Sequence, residues 1–128
     1  MAKKMKIITN ATGEVIAELS SEKNPKTVEA IWVALPFETS ANTWGDEIYF
    51  SIPVEVGEER AQETVEMGDL GYWPPGNAMC IFFGPTPMSR GNEIRPASPV
   101  NVFGKISVDP KVFKKVRSGS KIRVEKAE

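Results

Sequence analysis

Two stretches of this sequence concentrate the residue types that could do chemistry. The first, ANTWGDEIYFSIP at residues 41–53, sets Trp44 beside a glycine that permits close backbone approach, then places Asp46 and Glu47 at a strand entrance. Neighbours on a strand point to opposite faces, so these two carboxylates cannot share a pocket as an acid/base pair. Glu47 is the one assigned to a pocket, because it shares its face with Tyr49 and Ser51; its plainer alternative is a solvated position on a sheet. The second stretch, GDLGYWPPGNAMCIFFGPTP at residues 68–87, is dense in glycine, proline and aromatics. Tyr72 and Trp73 offer broad faces with polar tips, and Pro74 and Pro75 fix the backbone that presents them. These rings either cap the end of the fold or line a shallow cleft for an extended peptide or a flat small molecule. On the second reading the candidate ligand-binding residues are Trp44, Glu47, Tyr72, Trp73, Asn77 and Phe82, with no catalytic residue among them.

Histidine is absent, which removes Ser-His-Asp, Cys-His and Cys/His zinc arrangements. Cys80 therefore has no imidazole to activate it. With Met79 and Ile81 as neighbours it reads as a buried, inert thiol. Arg90, Glu93 and Arg95 could recognise a carboxylate or phosphate, although an exposed loop also collects such charges without purpose. There is no GxxxxGK loop, no metal-ligand spacing and no nucleic-acid motif, so no cofactor, metal or nucleic acid is expected.

The elements that must position these residues are short. Residues 5–10 and 14–19 are β-branched segments joined by Ala11-Thr12-Gly13, a hairpin. Asn24-Pro25 reads as a helix N-cap followed by proline at the first helical position. Val28, Ile31, Trp32 and Leu35 recur at helical spacing, and Pro36 ends the element. From Glu47 the period is two, with Ile48, Phe50 and Ile52 on one side, a strand covered on one face. Residues 79–83 are apolar throughout, which requires a strand covered on both faces. Further strands are expected near residues 62–66, 70–73, 100–107 and 121–125, with a helical turn opened by Asp109-Pro110. About eight strands and two helices, with prolines and glycines between them, predict a closed or nearly closed β-barrel flanked by the helices. Residues 84–99 form the longest irregular segment, of the kind that is often functional or mobile.

With 128 residues the chain suits one domain with one core. No apolar run approaches the ~18 residues of a membrane helix, and residues 1–10 do not read as a secretory signal. A lone cysteine cannot form an internal disulfide, so an intracellular, cytoplasmic location is expected. The net charge of −1 gives no overall pull toward nucleic acid or acidic lipid. Charge is nevertheless segregated: residues 38–69 hold nine acids and only Arg60 as a base, whereas residues 105–128 hold eight bases and three acids. Either the two faces attract each other within one fold, or the basic tail meets a partner.

The order of motifs resembles a cyclophilin. FGKISVDPKVFKKVRSGSKIRVE at residues 103–125 is similar to the cyclophilin segment in which FGKV precedes a short helix and the closing strand, and GDLGYWPPGNAMCIFF stands where GxLSMAN leads to QFF. More closely still, WGDEIYFSIP, GDLGYWPPGNAMCIFFGPTP and ASPVNVFGKI resemble a small prokaryotic and archaeal group of cyclophilin-like proteins of unknown function. The resemblance implies an eight-stranded barrel flanked by two helices. It implies activity less directly, since one fold hosts many functions. Prolyl isomerases of this class use the arginine of an FHRIIP motif, where residues 48–53 here read IYFSIP and place Phe50 at the arginine. The glutamine of QFF becomes Ile81 or Cys80, and the family's histidine is missing. Three readings follow: a protein that binds a peptide or small molecule in the cyclophilin-like cleft, a prolyl isomerase with its electrophile moved to Arg90 or Arg95, or a subunit of a larger amide-hydrolysing enzyme.

Overall fold

A computed structural model describes residues 3–127. The opening hairpin pairs β1 (Lys3–Thr9) with β2 (Gly13–Leu19) from Lys3↔Leu19 to Thr9↔Gly13, and Gly13 supplies the positive φ of the turn. Met5, Ile7, Val15, Ala17 and Leu19 alternate inward to the core, as the period-two pattern requires. Helix α1 (Pro25–Ala34) begins on its proline and stops before Pro36. Val28, Ile31 and Leu35 enter the core. Trp32 does not go in with them; it is half-buried at the rim, with Lys126 Nζ 5.0 Å and Lys3 Nζ 5.7 Å from its ring centroid.

Asn24 precedes the helix but does not cap it. Its side chain donates to the Val102 carbonyl at 2.7 Å and accepts from the Arg60 amide at 2.7 Å, bonds that hold distant loops. The helix amides are instead met by a remote carboxylate: Glu59 accepts from the Lys26 and Thr27 amides, both at 3.2 Å, and from the Thr27 hydroxyl at 3.1 Å. A negative charge there also suits the helix dipole.

The remaining strands are β3 (Phe37–Ser40), β4 (Asn42–Thr43), β5 (Glu47–Ser51), β6 (Asp69–Trp73), β7 (Ala78–Phe82), β8 (Asn101–Ile106) and β9 (Lys121–Ala127). They form one antiparallel sheet in the order β3-β9-β1-β2-β8-β6-β7-β5-β4. The two ends of that order, β3 and β4, are joined through Ala41 alone, so the chain itself brings the edges together and the sheet is a nearly closed barrel. Ala41 is fully buried, donating to the Ser120 carbonyl at 2.8 Å and accepting from the Gly119 amide at 2.7 Å.

Among the described residues nine strands replace the eight expected. Residues 62–66 are not a strand: Gln62 bridges Val100 while Val65 bridges Ile94, and two different partners make no ladder. In their place β3 and β4 pair with β9 and β5. The helical turn expected after Asp109-Pro110 is a 3₁₀ turn (Pro110–Lys115) capped by Asp109, whose carboxylate accepts from the Lys111 amide at 3.0 Å. It delivers Phe113 to the core, 6.4 Å from the ring of Phe83.

β7 is covered on both faces, as its composition requires. Met79 and Ile81 enter the barrel core, whereas Cys80 and Phe82 join a second cluster outside it with Val65, Ile94 and Val100. The segregated charges meet within the molecule: Lys105 lies 3.0 Å from Glu66 and 3.7 Å from Asp69, and Lys114 lies 3.9 Å from Asp46. Among the described residues no helix is long and apolar enough to cross a membrane.

Candidate functional site

The outer face of β5, β7 and β6 is where the two motif-rich stretches meet. Register sets Glu47 against Phe82 and Tyr49 against Cys80, with Gly71 on the far side of Cys80 and Trp73 across from Ala78. Residues 84–99 lie over this face. They are well tied down: Ser89 Oγ accepts from the Thr86 amide at 2.9 Å and the Arg95 amide at 3.0 Å, the Thr86 hydroxyl donates to the Arg95 carbonyl, and Ile94 is buried against Val65.

Between sheet and loop is a cavity of about 240 Å³ lined by Trp44, Glu47, Tyr49, Trp73, Cys80, Pro96 and Ala97. Each wall has a local cause. Gly45, at φ +62°, lets the Trp44 turn approach the loop so closely that a Cβ would sit 2.8 Å from Pro87 Cδ and 3.0 Å from Thr86 Cα. The Asp46 amide then donates to the Pro85 carbonyl at 2.9 Å. Trp73 packs against Gly76, where a Cβ would come 2.6 Å from its ring, and its Nε1 donates to Ser98 Oγ at 2.6 Å. The indole is thus held from below and at its tip.

Glu47 is only 4% exposed, and its Oε1 has no hydrogen-bond partner among the described residues. Burial pushes its carboxyl up to about 7, partly offset by the Cys80 thiol beside it. Burial also holds the Cys80 thiol well above its ordinary value, and the neighbouring Glu47 charge adds to this, so the thiol is a poor nucleophile.

Of the six residues singled out in the sequence, the structure brings Trp44, Glu47 and Trp73 together around this cavity. The other three lie elsewhere. Tyr72, next to Trp73 on β6, necessarily points the opposite way and is fully buried in the barrel core. Its hydroxyl lies 2.7 Å from the Val54 carbonyl and 3.0 Å from Asn77 Oδ1, and accepts from the Val56 amide at 3.3 Å. Asn77 ends the 3₁₀ turn (Pro74–Gly76) in a left-handed conformation, with φ 47°. Its side chain serves Tyr72. Phe82 packs its ring toward Gly71, where a Cβ would meet it at 3.3 Å, and is fully buried in the outer cluster.

The lining residues outside that set are Tyr49, Cys80, Pro96 and Ala97. Tyr49 was signalled by its two-residue spacing from Glu47. Cys80 arrives through cross-strand register and the Pro96-Ala97 pair through loop packing, neither of which leaves a local mark. Arg95 lies outside the lining set; its guanidinium is 2.7 Å from Glu93 and 3.6 Å from Glu63, and Arg90 is exposed.

A broader depression of about 430 Å³ lies along Glu18, Glu22, Lys23, Glu66, Asp69 and Lys105. Its cations are already engaged, Lys105 with Glu66 and Asp69, and Lys23 with the Gln62 side chain at 3.0 Å. The aromatic cavity is the better candidate, because among the described residues only there does a buried side-chain polar atom lack a partner.

The chain matches the cyclophilin-like family over residues 3–125. It is similar to the solution structure of a hypothetical protein from Archaeoglobus fulgidus, with 46% identity and a TM-score of 0.83 over 98% of this chain and 95% of that one. None of the curated proteins compared with it matches.

Proposed function

The chain belongs to the cyclophilin-like family, and from that premise we propose that it is a binding protein without prolyl isomerase chemistry. It takes one small ring, free or carried on a peptide, in the cavity between β5, β7, β6 and the loop of residues 84–99. The observation that carries this reading is the convergence of Trp44, Tyr49 and Trp73 on a cavity that also holds Glu47, whose Oε1 has no hydrogen-bond partner among the described residues. Rigid aromatic walls bind flat groups with little loss of side-chain freedom. A volume of about 240 Å³ fits one ring or side chain better than a drug-sized molecule.

Isomerase chemistry is disfavoured by the site's own residues. Phe50, where the family resemblance puts the arginine, is fully buried in the barrel core. Arg95 is already engaged by two glutamates, so it is a poor substitute for a free guanidinium poised over a twisted amide.

Titration of isotope-labelled protein with proline-containing peptides and single-ring fragments tests the binding reading. The expected result is a set of chemical-shift changes centred on the Trp44 and Trp73 indoles and on Tyr49. Shifts scattered over the surface, or none, would overturn it.

A further inference from the structure

The same cavity indicates what kind of ring it takes. We propose that its ligand is a protonated nitrogen base retaining an N–H, such as a cyclic secondary ammonium, which stacks on the aromatic walls and donates to Glu47. The inference rests on the cavity being the binding site.

Three observations converge. First, Glu47 Oε1 is a buried acceptor without a donor among the described residues, a state that is unfavourable until a partner arrives. A ligand N–H supplies that partner. Second, among the described residues no Lys or Arg lines the cavity. Tyr49 and Cys80 are the titratable groups that face Glu47, and Trp44, Trp73, Pro96 and Ala97 carry no charge. Arg95, beside Pro96, is spent on Glu93 and Glu63. Third, the other large walls are three aromatic rings, whose negative faces attract cations and repel anions. A neutral donor would answer only the first observation, whereas an ammonium ion answers all three. As Glu47 titrates near 7, its ionised form is available to a cation in neutral solution.

The test compares piperidinium with its neutral isostere tetrahydropyran, and with tetramethylammonium, which has charge but no N–H. Affinity is read from the indole shifts of Trp44 and Trp73. Piperidinium is expected to bind at least about tenfold tighter than either, the scale of one charge-assisted hydrogen bond. Glu47→Gln, checked for folding by circular dichroism, should abolish the preference. In the unaltered protein the affinity for piperidinium should rise from about pH 5.5 to about pH 8 as Glu47 ionises.

Equal binding of piperidinium and tetrahydropyran, a preference that survives Glu47→Gln, or a flat pH profile would each overturn the cation while leaving the cavity as a binding site. Failure of all three probes, and of neutral rings generally, would remove both proposals. If the Gln variant does not fold, the probe comparison and the pH profile of the unaltered protein decide. A free base and a peptide amino terminus share this chemistry, so prolyl-glycinamide is included: tighter binding than piperidinium supports a peptide source, and weaker binding supports a free base.

Discussion

Glu47 destabilises the fold that carries it. Its carboxyl has an ordinary value of 4.5 and is raised to about 7 in the native state, chiefly by burial. Between those values the native protein holds a proton that the unfolded chain has released, so stability falls as pH rises through that window. The loss is at most on the order of 3 kcal/mol. Glu47→Gln should remove this component, leaving the variant more stable than the parent at about pH 8 and equal to it near pH 4. Urea unfolding across pH checks this; parallel stability curves for the two proteins would refute it. Asp69, also raised by burial, contributes a fall of the same sign that the variant retains. Tyr72 offers the opposite case, a polar tip fully engaged in the interior. Tyr72→Phe should cost about 1–3 kcal/mol by leaving the Val54 carbonyl and Val56 amide short of a partner. Probe shifts at Trp44 should be unchanged, and a loss of cavity binding without loss of stability would contradict the interior role.

At the scale of elements, helix α1 depends on a residue that no local rule identifies. Burial tends to raise the Glu59 carboxyl but is outweighed by bonds from the Lys26 and Thr27 amides and the Thr27 hydroxyl, which leave it below its ordinary value. Its contribution is therefore present above the unfolded value and is lost as pH falls through the lowered one. Glu59→Ala should cost about 1 kcal/mol, the usual size of a lost cap, measured by urea unfolding near neutrality. The same substitution at the neighbouring Glu58 is the control, since the bonds to Lys26 and Thr27 are made by Glu59. The 3₁₀ turn (Pro74–Gly76) performs a second positioning role. Gly76→Ala forces a Cβ to within 2.6 Å of a rigid indole, so the Trp73 fluorescence and its bond to Ser98 should both change. An unaltered indole N–H resonance would show that the ring is held some other way.

The elements were unevenly legible. β7 could be read as covered on both faces because residues 79–83 are apolar throughout, and the outer cluster with Cys80 and Phe82 supplies the second cover. β3 and β4 could not: in FETSANT only Phe37 and Ala41 are buried, and these strands exist because β9 and β5 offer edges to them. Residues 62–66 had a suitable pattern but divide their bonds between two partners.

For the whole molecule, charge segregation is resolved internally, since Lys105 and Lys114 reach back to the acidic segment. Lys105 and Lys114 are about half exposed, so the pairs are worth about 0–1 kcal/mol each. They orient the closing segment more than they stabilise it. The barrel is held by its core and by closure through Ala41. With Phe50 inside that core and Arg95 engaged by Glu93 and Glu63, a protease-coupled assay on a prolyl peptide should give the uncatalysed rate, with exchange over tens of seconds or longer. Acceleration that disappears in Arg90→Ala or Arg95→Ala would instead support a relocated electrophile.

The amino-acid sequence determined the period-two faces of the strands, the start and stop of α1, the doubly covered β7 and the placement of Glu47 on the face of Tyr49. These follow from local sterics and from the alternation of apolar residues, which act over a few positions. Only the tertiary structure decided that Tyr72 turns inward while Trp73 turns outward, that Cys80 and Pro96-Ala97 join the cavity, and that Glu59 caps α1. The physical reason is that cross-strand register and loop packing bring together side chains tens of residues apart, and whether a polar atom is left without a partner depends on all of them at once.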